Sequence, residues 1–193
     1  LICVDNKGKV IKGDEILALV ALYLKKHDKL QNNTVVTTNM TNLGFDKYMD
    51  DNGCSVYRTN VGDKYISKAM YENNYNFGGE TSGHFIFRDF STSGDGILTA
   101  LFILKIMKDS NLSISDLVPK FHRINQKISN ISVKIKPPLH LLKNFQVELK
   151  KIQNAIKDKG RVLFRYSGTE PIARLMIELD DTEKASDYVS HLS

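Results

Sequence analysis

Short β-rich runs and helical runs alternate from residue 34 to about residue 122, and this alternation constrains the fold most. "TVVTTN" (34–39), "SVYRT" (55–59) and "HFIFRD" (84–89) are rich in β-branched and aromatic residues, which suit a pleated, half-buried surface. Helical patterns lie between them. Asn42 to Asn52 reads as a helix with Gly53 just past its end. Asp63 is expected to cap a helix over "KYISKAMYENN", and "GDGILTALFILKIMKDS" forms a long apolar one. Upstream, "GDEILALVALYLKKHDKL" places apolar residues at 16, 17, 19, 20, 22 and 24 behind acidic residues, which predicts a mostly buried helix. "ICVDNKGKVI" reads as a hairpin around Asn6-Lys7-Gly8. Strands alternating with helices predict a parallel α/β sheet.

The character changes over residues 123–137, which are polar and basic and run into Pro137-Pro138. A domain boundary is expected near residue 126. The remainder reads as strand (131–136), helix (145–159, ending at Gly160), strand (161–166), strand (173–180) and helix (183–192). The predicted fold class is α/β: a parallel-sheet α/β domain over 11–125 followed by a small α+β domain over 126–193.

Composition removes several function classes. No run of 18 apolar residues occurs in the 193, so no membrane partner is expected. "LICVDNKGKV" lacks a basic segment followed by a long apolar one, unlike a signal peptide, and reads as a strand entered midway, with sequence missing upstream. Cys3 and Cys54 form no metal-ligand cluster and read as reduced thiols in a reducing, cytoplasmic compartment. Charge is uneven: residues 120–174 hold 13 basic and 3 acidic residues, whereas residues 1–119 hold 13 and 14. A basic segment suits an anionic ligand, either nucleic acid or a small phosphorylated molecule. Aromatics are not interleaved with the basic residues as base-stacking platforms require, which argues against nucleic acid.

Two motifs carry candidate chemistry. "RYSGTEP" lies between two strands, with Arg165 before the loop and Arg174 after it. Ser167 and Thr169 offer hydroxyls, Gly168 lets backbone N–H groups approach a ligand, and the two guanidinium forks match phosphate oxygens. A hairpin turn with solvated arginines fits the same residues. In "GGETSGHFIFRD", Glu80, Ser82 and His84 alternate, so an extended chain points all three one way. A carboxylate, a hydroxyl and an imidazole so placed can read sugar hydroxyls, although a solvated turn and a strand histidine account for them too. "TSGDGIL" and "TNVGDKY" read first as helix starts, the latter at a strand end where ligands commonly gather.

"VGDKY" (61–65), "GGETSGH" (78–84), "TSGDGI" (92–97) and "RYSGTEPIARLMIE" (165–178), in that order along nearly the whole chain, resemble the α-D-phosphohexomutase superfamily and, within it, the bacterial phosphoglucosamine mutases. Thr81 and "TSGDGI" favour that branch over the phosphomannomutases and phosphoglucomutases. The resemblance implies that Glu80 and Ser82, with His84 beside them, contact the sugar ring. It implies that Arg165, Ser167, Gly168, Thr169 and Arg174 hold the phosphate that is not transferred. The substrate so implied is a hexosamine phosphate, isomerised through a phosphoserine enzyme and a bisphosphorylated sugar. The family's Ser-His-Asn phosphoserine loop and Asp-Gly-Asp-x-Asp-Arg magnesium loop are absent from these residues, so catalytic residues and Mg2+ ligands are expected upstream of Leu1. On that reading residues 1–10 are the tail of an upstream domain, the chain alone is inactive, and its partners are the N-terminal domains of the same protein. A homodimer is compatible with the resemblance. Asn60 stands where related mutases often place a basic residue. A sugar-phosphate sensor without a catalytic half is the remaining alternative.

Overall fold

The computed structural model describes residues 1–157 and 159–193. Contacts divide it into two compact units, Leu1–His122 and Arg123–Ser193.

The first unit opens with the expected hairpin, β1 (Cys3–Val4) and β2 (Val10–Ile11), antiparallel with Cys3 opposite Ile11. Asp5 closes its turn, its Oδ1 accepting the N–H groups of Lys7 and Lys9, both at 2.9 Å. Helix α1 (Gly13–Lys26) is buried along most of its length, as its broad apolar pattern requires. The sheet has the order β4-β3-β5-β6, built from β3 (Thr34–Thr38), β4 (Ser55–Thr59), β5 (Phe77–Gly79) and β6 (Phe85–Phe87). All five residues of β3 are buried, which explains a run of β-branched residues without polar alternation.

Strands β4 and β5 run parallel to β3, but β6 is antiparallel to β5. The sheet is therefore parallel in its body and mixed at one edge, not parallel throughout. The short Glu80–His84 connection forces this, because a parallel neighbour needs a crossover of about a dozen residues or more. Strand β5 itself, "FGG", carries little intrinsic β preference, and pairing with β3 through Val36 and Gly78 and with β6 along all three residues makes it a strand.

Helices α2 (Leu43–Asp51), α3 (Asp63–Glu72), α4 (Gly96–Ser110) and α5 (Ile114–Leu117) complete the unit. Asn42 caps α2 through Gly44 N–H, and Asp95 caps α4 through Ile97 and Leu98 N–H at 2.8 and 2.9 Å. Helix α3 departs from expectation: Gly62 is its cap, and Asp63 lies in the first turn, where the helix dipole favours a carboxylate. Phe45, Phe77, Phe85, Phe87, Ile103 and Ile106 join the α1 side chains in one core.

The second unit is a three-stranded antiparallel sheet in the order β7-β9-β8, made of β7 (Gln126–Ser132), β8 (Gly160–Tyr166) and β9 (Ile172–Leu179), with helices α6 (Lys143–Ile156) and α7 (Thr182–Leu192). Strand β7 starts well before the expected 131–136. Its pairing runs the length of β9, from Gln126 opposite Glu178 to Ser132 opposite Ile172, and "VKIK" falls beyond the point where β9 begins. The expected end of the α6 pattern includes Asp158, which lies outside the described residues.

Alternation assigns the two faces of this sheet. Val162, Leu175, Ile177 and Leu179 pack with Ile152, Ile156, Ala185 and Leu192 of the helices. The opposite face carries three cross-strand rows: Asn130–Arg174–Arg165, Ile128–Met176–Leu163 and Gln126–Glu178–Arg161.

Candidate functional site

In the first unit the carboxyl ends of β3, β4 and β5 come together, the place where ligands bind in open α/β sheets. The Glu80–His84 loop follows β5. Glu80 N–H donates to His84 O at 2.8 Å and Gly83 N–H to Glu80 O at 3.0 Å, which makes the loop a tight turn. Gly83 has φ +94°, a backbone region closed to most side chains. The start of α1 backs the loop so closely that a Cβ on Gly13 would lie 2.4 Å from Thr81 O.

This scaffold gathers the three predicted sugar-reading side chains. Glu80 Oε1 accepts the Gly62 N–H at 2.9 Å, tying the loop to the carboxyl end of β4. Ser82 Oγ lies 3.1 Å from His84 Nδ1 and 3.5 Å from Glu80 Oε2. Glu80 is half-buried while Ser82 and His84 are exposed. The loop is curled rather than extended, but Ser82 still bridges the other two. The Gly62 contact was not legible, because a backbone donor leaves no side-chain signal. Asn60 lies exposed just after β4.

Two concavities of ≈ 500 Å³ occur elsewhere in this unit. One is lined by Asn76, Asp89 and Phe102 and the other by Tyr23, Tyr48 and Pro119. Neither includes Glu80, Ser82 or His84.

In the second unit the Ser167–Pro171 loop joins β8 to β9. Ser167 is buried; its N–H donates to Ile172 O at 2.9 Å, and its Oγ accepts the Glu170 N–H at 3.2 Å. Arg165 and Arg174 stand directly opposite each other across the two strands. Like charges so placed repel. Glu170 offsets part of this, its carboxylate taking the Arg174 guanidinium at 2.6 Å. That pair is 39% and 53% exposed, so it contributes at most about 1 kcal/mol and can yield to a ligand. Arg174 Nε is buried with no hydrogen-bond partner among the described residues. No atom of the described residues lies within 4 Å of where a Cβ on Gly168 would be, so the loop tip is open. Exposed Thr169 sits at that tip. Each of the five predicted phosphate-binding residues thus belongs to this one loop or its flanking row.

Sequence reasoning missed two neighbours. Asn130 completes the arginine row from β7, and Lys136 donates from Nζ to Ser167 O at 2.5 Å. Only the β7 register reveals Asn130. Nothing local distinguishes Lys136 from the other lysines of its basic segment.

Residues 12–124 match the family model "Phosphoglucomutase/phosphomannomutase, alpha/beta/alpha domain III", and residues 124–192 match "Phosphoglucomutase/phosphomannomutase, C-terminal domain". The chain belongs to the phosphoglucomutase/phosphomannomutase family. Among members of this family it resembles phosphoglucosamine mutases over its whole length. That of Shouchella clausii (strain KSM-K16) is 41% identical over 192 residues, covering 100% of this chain and 43% of its own length. That of Lawsonia intracellularis (strain PHE/MN1-00) is 40% identical over 193 residues with the same coverage. The chain thus spans under half the length of these curated relatives. The fold is shared with the N-acetylphosphoglucosamine mutase of Aspergillus fumigatus in complex with glucose 1,6-bisphosphate. That match has a TM-score of 0.76 at 18% identity, covering 99% of this chain and 44% of the other. No helix of the described residues is long and apolar enough to cross a membrane.

Proposed function

We propose that this chain forms the two C-terminal domains of a cytoplasmic phosphoglucosamine mutase, an enzyme that interconverts glucosamine 6-phosphate and glucosamine 1-phosphate. The Glu80–His84 loop reads the sugar, and the Arg165–Arg174 loop holds the phosphate that is not being transferred. One observation carries this reading: two arginines face each other across β8 and β9 beside an open glycine tip. A fold keeps like charges opposed when an anion between them recovers the repulsion. The relatives at about 40% identity support the glucosamine branch.

In the proposed reaction the phosphoryl group passes through a phosphoserine enzyme and a bisphosphorylated sugar. A single clamp suits that sequence, because either phosphorylated end of the intermediate can occupy it. The nucleophile and the magnesium belong to the preceding domains of the longer enzyme. The described residues do not themselves fit a magnesium site, since they contain no group of three His, Cys, Asp or Glu that could hold a metal. A solved A. fumigatus relative binds GlcNAc-6P and magnesium. The chain then feeds amino-sugar and cell-wall precursor synthesis, and by itself it is inactive.

Competing turnover by the full-length enzyme tests the assignment. Glucosamine 6-phosphate should be converted at least about tenfold more efficiently than mannose 6-phosphate, a difference of roughly 1.4 kcal/mol in transition-state binding. Equal or reversed preference moves the enzyme to the phosphomannomutase or phosphoglucomutase branch.

A further inference from the structure

We propose that Lys136 is a third phosphate-binding cation of the Ser167–Pro171 loop, supplying the positive charge that Glu170 withdraws from Arg174. The inference rests on the phosphate-clamp reading and extends it to a residue outside the motif.

Topology puts Lys136 at this loop. After β7 ends at Ser132, Val133 N–H donates to Pro171 O at 2.9 Å, so the strand exit stays beside the loop. Lys136 then reaches back, its Nζ donating to Ser167 O at 2.5 Å. Ser167 adjoins Gly168, whose α-carbon faces open space. The ammonium therefore sits at the mouth of the loop. Pro137 follows directly, and a residue before proline is confined to extended backbone. The backbone from which the lysine stem leaves is thus restricted before any ligand arrives.

The chemistry fits a phosphate. An ammonium carries three N–H donors, and Ser167 O takes one. Two remain for ligand oxygens. A phosphate monoester carries about −1.5 to −2 charges near neutral pH. The Glu170 carboxylate pairs with Arg174 and cancels its charge at this loop. Lys136 supplies a positive charge in its place. As a compact point charge on a flexible stem, it can follow a phosphate that enters attached to either end of the sugar.

A brace for the loop backbone would need only the hydrogen bond to Ser167 O. Charge and brace are separable. Lys136→Gln keeps a donor for that carbonyl and removes the charge, whereas Lys136→Arg keeps both. Titration of the protein with inorganic phosphate, followed by calorimetry at about 0.02 M and about 0.2 M salt, should show Lys136→Gln weakening binding about tenfold. Its salt dependence should be shallower and its Tm unchanged. Lys136→Arg should stay within about threefold of the parent. If Lys136→Gln binds phosphate like the parent while Arg165→Ala loses it, Lys136 is no ligand and the clamp survives. If neither substitution changes phosphate binding, the clamp itself is wrong and Lys136 falls with it. If Lys136→Arg weakens phosphate binding as much as Lys136→Gln does, the positive charge is not what the loop uses, and the proposal is overturned.

Discussion

Replacing Glu80 by Gln isolates one oxygen atom. Glu80 Oε1 is committed to Gly62 N–H at 2.9 Å, and an amide oxygen can accept that bond equally well, so the loop should keep its shape. Among the described residues Oε2 has only the distant Ser82 Oγ at 3.5 Å, and in the proposed site it is the atom left to receive a sugar hydroxyl. In Gln that position becomes an NH2 group, which donates rather than accepts. A hydrogen bond to a charged partner contributes about 1.5–3 kcal/mol net, so kcat/KM for glucosamine 6-phosphate should fall by about 10- to 150-fold. The proposed phosphate loop does not contain Glu80, so affinity for inorganic phosphate should not change. The assay is turnover by the full-length enzyme, with phosphate titrated separately. A parallel fall in phosphate affinity would refute the division of labour between the loops. An unchanged kcat/KM would remove Glu80 from sugar recognition.

Arg165→Ala in the full-length enzyme should lower kcat/KM by about 10- to 150-fold through loss of one charge-assisted contact; wild-type kinetics would end its role in the clamp. Arg161→Leu should destabilise the second unit by about 3–5 kcal/mol in urea unfolding, because Arg161 Nε bonds Glu178 Oε2 at 2.7 Å and Glu178 is fully buried. The double substitution Arg161→Leu, Glu178→Leu should recover most of that loss, and a single-variant cost under about 1 kcal/mol would contradict the buried pair. Burial pushes the Cys54 thiol above its ordinary pKa, outweighing the nearby Lys25 ammonium. Less thiolate is then present at pH 8 than for a free cysteine of pKa about 8.5. Thiol labelling read by mass spectrometry should therefore be slow at Cys54, speed up as pH rises, and reach the free-thiol rate in denaturant. Free-thiol labelling of the native protein would show the site to be open.

Local signals make most elements legible. Asp95 followed by a long apolar run specifies a capped helix, and "TVVTTN" specifies the central strand, because side-chain chemistry and backbone shape agree there. Where they disagree, the sequence misleads. "FGG" is a strand because β6 and distant β3 both pair with it, and the contact with β3 is one that no short window of sequence contains. Asp63 has the chemistry of a cap, yet Gly62 takes that position with φ 128°, and its N–H goes to Glu80. The pattern at 131–136 points to the wrong strand because "VKIK" alternates better than "QKISNIS", whereas register with β9 sets where pairing stops. At the sites, side-chain types are legible and the partners supplied by backbone or by distant strands are not. Gly62, Asn130 and Lys136 all belong to that latter class.

The two loops are held by different kinds of force, and this difference bears on how they would work. Backbone geometry fixes the Glu80–His84 turn: two internal hydrogen bonds, a positive φ at Gly83 and the close approach of Gly13. Such a turn cannot shift without breaking several contacts at once, so it can tell one ring hydroxyl from another. At the Ser167–Pro171 loop, an exposed ion pair and a lysine at the mouth hold the charged groups in place. Exposed pairs exchange partners at a cost of about 1 kcal/mol or less. Arg174 can therefore leave Glu170 for a phosphate and return when it departs. A rigid reader and an exchangeable clamp are what a bisphosphorylated sugar would require if it must be recognised in two orientations yet released between them. Were Glu170→Gln to tighten phosphate binding while slowing turnover, release from the clamp would be the step that Glu170 assists; unchanged phosphate affinity would show that Glu170 does not compete for Arg174.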